Sequence, residues 1–428
     1  MPDYRALLRE ALSPRLEPGL LPLPTVSLSN VDTEESHNCV ILEPNSDERS
    51  QLFHEGITEL NKGGYALLIL SGGLATRLRY ELPKALLPIS PIRKKTLLQL
   101  HLERVRRLEH MLDHDAPRPK VFILTSKFNH DDIRNYLASV NFCGLDKDQV
   151  ITFQQDTAPY VALNFDDFIP SEGDSGTLME SPKGNGDVFH ALSKCTEFMY
   201  IVDKLKMIHV IAIDNALSRP LDPELLGLSM RFPGLEVLNK CVVRRGQENL
   251  GVFCKGSYAQ IVEYSEIEKL PENSAAFLNS TNTIYGNICD HLFSAQFIKK
   301  VINNRLYESL PYHAAMKSVI AKSSDATETY GYALELFIFD IFAFATKLVC
   351  IEVNREMQFA PVKYFADRDF ANILSAQHRM SAVAKQWLEA AGAIVKEGLI
   401  EISPSISYGG ENLDQYKGKH IEGDVYIE

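Results

Sequence analysis

Four short apolar runs, "ALLIL" (66–70), "VFIL" (121–124), "VITF" (150–153) and "IHVIAI" (208–213), show no polar alternation, and segments of helical spacing separate the first three. A strand with one wet face alternates, so runs like these read as strands hidden on both faces. Between them Leu98, Leu102 and Val105 recur at helical spacing, as do Ile133, Tyr136, Leu137 and Val140. This alternation predicts a parallel sheet covered by helices, that is, a doubly wound α/β fold.

The pattern changes beyond residue 230. Longer strands, "EVLNKCVVRR", "LGVFCK" and "YAQIVEYSEI", suit an antiparallel extension that makes the sheet mixed and carries a second ligand. Residues 1–50 read as an N-terminal arm or linker, because "SPRLEPGLLPLPTVSLSN" is too rich in proline for a helix or a regular ladder. Residues 51–365 then form the catalytic body. Residues 366–428 form a small C-terminal domain, with a helix near "HRMSAVAKQWLEAAG" and the loop-rich "SPSISYGGENL".

Composition narrows the function. The chain has 428 residues, enough for a large core. Its formal net charge of -12 argues against a nucleic-acid surface, so any anionic ligand must be met by local cations. Seven scattered cysteines without a CxxC indicate neither a disulfide framework nor a zinc site. No apolar run reaches the length of a membrane span, and "MPDYRALLREALSPRLEPG" lacks a signal-peptide apolar region, so the expectation is a cytoplasmic protein.

The stretch "LLILSGGLATRLRYELPK" (67–84) runs from the first buried strand into a glycine pair and then into cations. Gly72 and Gly73 let backbone N–H groups approach a phosphate or base, and they fall beyond the carboxyl end of a strand, where open α/β sheets bind ligands. Arg77 and Lys84 add full charges. These residue types suit a polyphosphate, although neither GxGxxG nor GxxxxGK[ST] is present.

This stretch resembles the nucleotide-sugar pyrophosphorylase signature, roughly LxGGxGTRLGxxxPK. Collinear blocks from 51 to 412 resemble the eukaryotic UDP-N-acetylhexosamine pyrophosphorylases: "FCGLDKDQVITFQQ", "GNGDVFHAL", "IDN", "QIVEYSEI", "YGNICDHLF", "FIFDIFAFA", "REMQFAPVK" and "EISPSISYGGENL". The resemblance implies a uridylyltransferase of the nucleotide-diphospho-sugar transferase type. It would join UTP and N-acetylglucosamine 1-phosphate into UDP-N-acetylglucosamine and pyrophosphate, with Mg2+ or Mn2+. It would place Gly72 and Gly73 against the nucleotide, Arg77 and Lys84 at its phosphates, and Gln155 with Gly184 at uracil. Asn185, Glu263, Tyr264 and Asn287 would meet the sugar, Asp214 the metal and Lys363 the sugar phosphate.

Each carried-over residue also has an ordinary structural reading. Asp214 could cap a turn, Glu263 could face solvent on a strand, and Asn287 could cap an apparent helix, "NICDHLFSAQFIKKV". Four positions depart from the family pattern: Ala75, Arg79, Asp187, and Ala333 where relatives have a lysine thought to touch UTP. The expectation is that Arg79 partly replaces that missing cation. A glucose-type pyrophosphorylase, suggested by "GNGDVF", and a UDP-sugar-binding sensor are the alternatives.

Overall fold

The unalternated apolar runs become the middle of one large sheet. The structure is a computed structural model describing residues 2–428 except 14–19, 24, 29–37, 74–79, 81, 172–176, 247, 268–282, 321–327 and 366–369. Helix α1 (Tyr4–Leu12) precedes β1 (Thr25–Val26), β2 (Asn38–Leu42), α2 (Ser46–Asn61) and β3 (Tyr65–Leu70). Then come α3 (Leu97–Glu109), β4 (Lys120–Thr125), α4 (His130–Ser139), β5 (Val150–Gln154), α5 (Val188–Lys194), β6 (Met207–Ala212) and α6 (Pro223–Met230). Strands β7 (Val237–Val243), β8 (Val252–Lys255), β9 (Ala259–Val262) and β10 (Tyr285–Ser294) lead to α7 (Ala295–Asn303). The chain ends through β11 (His313–Ile320), β12 (Glu328–Glu335), β13 (Leu348–Glu352), α8 (Ile373–Ala390), β14 (Ile400–Ile402) and β15 (Val425–Ile427).

The main sheet has twelve strands among the described residues, and its central path runs β1, β2, β13, β7, β10, β6, β3, β4, β5. Every strand on this path runs parallel to the others except β10, which is antiparallel to β6 and to β7. The sheet is therefore mixed and doubly wound, and a single reversal has a functional consequence. The carboxyl ends of β3 to β7 lie along one edge, and the first residues of β10 return to that edge, Asn287 sitting beside Cys241 of β7.

The absence of polar alternation has a direct cause. Leu67 and Ile69 of β3 enter the apolar core on one face, with α2, α3 and α6, while Ala66, Leu68 and Leu70 enter the core on the other, with α5 and α7. At about 25 cal/mol per Å2 of apolar surface, burial on both faces is the main force ordering these strands.

Several local expectations differ from what forms. The N-terminal fifty residues are more than an arm: α1 buries Tyr4, Leu8 and Ala11 beside Leu334 of β12, and β2 pairs with β13 inside the main sheet. Proline is excluded from "NCVIL", so that short stretch can complete a ladder despite its proline-rich surroundings. Asn287 does not cap a helix, because 285–294 is a strand; helix α7 begins after Ser294, whose Oγ accepts from the Phe297 N–H at 3.1 Å. Strand β9 ends at Val262, so Glu263 and Tyr264 sit in and beside a turn instead of on a strand.

The C-terminal part buries Leu388, Ile400, Leu413 and Ile427 in a cluster of its own. Polar contacts seat it on the body: the N–H groups of Ile92 and Arg93 donate to Glu401 (2.6 and 2.8 Å), and the Tyr408 hydroxyl donates to the Pro220 carbonyl (3.0 Å). No helix among the described residues is long and apolar enough to cross a membrane.

Candidate active site

A cavity of about 280 Å3 opens at the carboxyl ends of β3, β4 and β6, lined there by Leu70, Leu124 and Ala212. Gly72, Gly73, Lys84, Gln155, Gly184, Asn185 and Asp214 line it together, so seven of the residues singled out in the sequence converge. Arg77, with Ala75 and Arg79, lies outside the described residues.

The glycine loop is held from behind. The Ser71 N–H donates to the Leu124 carbonyl (2.9 Å), and Asn129 Nδ2 donates to the Ser71 carbonyl (2.8 Å). A Cβ on Gly72 would fall 1.7 Å from Gln155 Nε2, so no other residue fits without displacing that amide. A Cβ on Gly73 would meet nothing within 4 Å, which leaves its backbone open to a ligand. The Gln155 backbone N–H donates to the Thr125 carbonyl (2.9 Å), and its buried Oε1 has no partner among the described residues. An orphaned acceptor inside a cavity costs free energy until a donor arrives.

Gly184 has φ +92°, and a Cβ there would lie 2.5 Å from the Leu336 carbonyl oxygen. The next side chain is tied down on both ends: Asn185 Oδ1 accepts from the Ile338 N–H (3.0 Å), and Nδ2 points at Cys289 Sγ (3.8 Å). Asp187, the unexpected residue after the glycines, is buried and faces inward. Its Oδ2 accepts from the Asp156 N–H at 2.6 Å, bracing the residue next to Gln155. That departure therefore braces the wall of the cavity beside Gln155.

Lys84 and Asp214 form the cavity's first charged pair, Nζ to Oδ2 at 3.4 Å. Asp214 is placed by a crossing of two segments. Asn215, buried beside it, accepts from the Ala360 N–H (2.8 Å) and donates to the Gln358 carbonyl (2.8 Å), while the Asp214 carbonyl accepts from the Val362 N–H (2.9 Å). Lys363 therefore follows directly on a segment stapled to Asp214. Its side chain lines a second, adjoining cavity, and it lies close enough to Glu263 and Cys289 to act on both carboxyl and thiol.

The sugar-end candidates cluster where β10 begins. The Asn287 N–H donates to the Gly251 carbonyl (2.8 Å), and its Oδ1 accepts from the Cys289 N–H (2.9 Å). The strand is irregular here, with Cys289 at φ +55°, a conformation non-glycine residues seldom adopt. Burial pushes the Cys289 thiol up, Asp214 adds to the rise and Lys363 opposes it. Burial holds the Glu263 carboxyl up at about 6 against the pull of Lys363. Tyr264, in the following turn, lines neither cavity.

Lys317 was not anticipated. Opposite residues of paired strands share a face, so Ala315, Ala333, Lys317, Gly331 and Glu335 look the same way from β11 and β12. The small residues leave room for Lys317 to reach along that face and pair with Glu335, both lining the cavity. The family lysine missing at Ala333 thus has a cationic neighbour on the adjacent strand. A lone lysine in a strand reads as solvated, and only the pairing register turns it inward. Beneath the same wall, His313 bridges Glu266 (2.9 Å) and Asp340 (2.8 Å) and packs on the ring of Phe337, another lining residue.

Comparison with known proteins places this geometry. Residues 28–410 match the family model described as UTP–glucose-1-phosphate uridylyltransferase. A UDP-N-acetylglucosamine pyrophosphorylase of Saccharomyces cerevisiae is 32% identical over 88% of this chain and 80% of its own length. UDP-N-acetylglucosamine diphosphorylase 2 of Arabidopsis thaliana is 31% identical over 88% of this chain and 78% of its own. In fold, the chain superposes with a TM-score of 0.78 on a Trypanosoma brucei uridine diphosphate N-acetylglucosamine pyrophosphorylase crystallised with an inhibitor, at 23% identity, covering 99% of this chain and 89% of that one. The chain therefore belongs to the uridylyltransferase family of UDP-sugar pyrophosphorylases, and it is a nucleotidyltransferase.

Proposed function

We propose that this protein joins UTP and N-acetylglucosamine 1-phosphate into UDP-N-acetylglucosamine and pyrophosphate. The observation that carries the reading is the buried Gln155 Oε1, unpartnered among the described residues, on a side chain that lines one cavity with Gly72, Lys84 and Asp214. Uracil presents an N3–H donor to such an acceptor, whereas cytosine has none at N3.

The reaction has a sugar-phosphate oxygen attack the α-phosphorus of UTP, forming one P–O bond as the bond to the β-phosphate oxygen breaks and pyrophosphate leaves. The nucleophile is already an anion near neutral pH, so positioning and charge neutralisation dominate over proton transfer. Asp214 offers a single carboxylate, which together with substrate phosphates is a usual ligand set for Mg2+, so the residues fit that ion, with Mn2+ as its substitute. When bound, the ion supplies positive charge to the phosphate oxygens. Lys84, poised beside Asp214, neutralises the departing pyrophosphate, and Arg77 is assigned to the same end. Lys363 neutralises the attacking phosphate, while Asn185, Glu263, Tyr264 and Asn287 are assigned to the sugar. Six free cysteines among the described residues suit a reducing, cytoplasmic setting.

A pyrophosphate-release assay with UTP and a panel of sugar 1-phosphates, with and without Mg2+, tests this. Turnover on N-acetylglucosamine 1-phosphate is expected to exceed that on glucose 1-phosphate and to need the metal. Preference for glucose 1-phosphate, or UDP-sugar binding without turnover, overturns it.

A further inference from the structure

Lys363 belongs to a second cavity, of about 250 Å3, that the reaction leaves unexplained. Arg245, Arg355 and Arg379 join Lys363 in its wall, and the first turn of α8 closes it through Ser375 and Ala376. Two carboxylates answer the three arginines among the described residues, while Lys363 is felt by Glu263 from beyond ion-pair distance. Glu248 holds Arg355 through Oε1 and accepts the Arg245 backbone N–H through Oε2 (3.0 Å). Glu356 is divided between Arg245 (2.7 Å) and Arg379. Lys363 has no carboxylate within ion-pair distance among the described residues.

The imbalance is felt by the arginines themselves. Burial lowers Arg379, and the neighbouring Arg245 lowers it further; burial likewise lowers Arg355, with Glu248 opposing and both other arginines adding to the fall. Arg355 is also fixed from below by Phe359, 5.2 Å from the ring centroid, and by the Val243 carbonyl at 3.2 Å. A preset guanidinium fork, a mobile ammonium and a helix amino terminus are the groups that take a phosphate dianion.

We propose that this cavity binds a small phosphate-bearing anion, from inorganic phosphate up to a hexose phosphate, and that the occupant draws on Lys363. Binding itself stands on the arginines alone. Its effect on turnover rests on the function proposed above: with Lys363 engaged, the sugar 1-phosphate loses the cation that neutralises it, and occupancy inhibits.

Calorimetric titration of the full chain with inorganic phosphate and, separately, with glucose 6-phosphate tests the proposal, since a 6-phosphate cannot act as the attacking 1-phosphate. At least one probe is expected to bind, and Arg379→Glu to weaken it roughly tenfold or more while leaving binding of UTP with Mg2+ unchanged. Tighter binding of glucose 6-phosphate assigns the site to phosphorylated sugars, and equal or tighter binding of phosphate assigns it to the free ion. Should Arg379→Glu also lose UTP, Arg245→Gln, on a largely exposed side chain, decides by the same criterion. No binding of either probe, or binding indifferent to these arginines, overturns the site. The regulatory half falls if the bound probe leaves the KM for sugar 1-phosphate unmoved. Arginine-dependent binding in a chain without uridylyl transfer would instead sink the catalytic reading and keep the cavity.

Discussion

The bond from the Val362 N–H to the Asp214 carbonyl ties the walls of the two cavities together, yet they handle charge in opposite ways. In the nucleotide cavity each described cation has its own carboxylate, Lys84 with Asp214 and Lys317 with Glu335. In the arginine cavity three arginines share two carboxylates. The difference teaches what each can accept. A matched cavity gains little from a bare anion, because binding one must break an existing pair. It would gain more from an anion arriving with a divalent cation, which Asp214 would hold while Lys84 turned to the phosphates. An unmatched cavity attracts an anion on its own.

That contrast can be broken in several ways. The largest effect is expected from Lys84→Ala, which removes a preorganised charge and leaves Asp214 unanswered; kcat should fall ~100-fold, measured by pyrophosphate release. A comparable rate would mean that the pair is only structural. Gly72→Ala should raise the KM for UTP about tenfold with a smaller change in kcat, because the methyl displaces the Gln155 amide and overpacking of this kind costs roughly 1–3 kcal/mol. Lys317→Ala leaves Glu335 as a lone carboxylate beside the nucleotide. The KM for UTP should rise by about fivefold, and the double change with Glu335→Ala should recover most of it, as a matched pair requires.

A pH profile sharpens the sugar end. Glu263 has its carboxyl raised to about 6, so it is a charged, acceptor-only carboxylate only above that pH, and the KM for sugar 1-phosphate should climb as pH falls through 6. Stability moves the other way. A carboxyl raised on folding binds its proton more tightly in the folded chain, so its contribution is greatest at acid pH and declines as pH rises toward 6. Glu263→Gln should flatten both dependences, read by steady-state kinetics and thermal melts. The smallest expected effect is ionic. Raising salt should weaken phosphate binding to the arginine cavity more than it weakens UTP with Mg2+, because Arg245 is 61% exposed and poorly shielded from counterions.

Parts of this site were legible and parts were not, for identifiable reasons. The glycine loop could be located because it follows a run too apolar to be anything but a two-face-buried strand, and ligands gather at such strand ends. Asn287 was misplaced as a helix cap because β10 and α7 run on without a break, and a buried strand lacks the period-two signal that would have separated them. The N-terminal strand β2 was hidden in a proline-rich stretch, where local propensity argued against a ladder that β13 nevertheless supplies. Asp187 departs from the family pattern, and only the fold shows that it turns toward the Asp156 backbone.

From the amino-acid order alone came the double winding and the loop at the strand ends, because periodicity and backbone freedom are properties of neighbours in the chain; the residues assigned to a UDP-sugar came from the family resemblance. Which carboxylate answers which cation was decided only in three dimensions. Lys317 meets Glu335, Lys363 lines its cavity with Arg379, and Gln155 Oε1 stays unpaired among the described residues, all through contacts between segments far apart in sequence. Coulombic and hydrogen-bond energies depend on distance in space, and no local pattern encodes that distance.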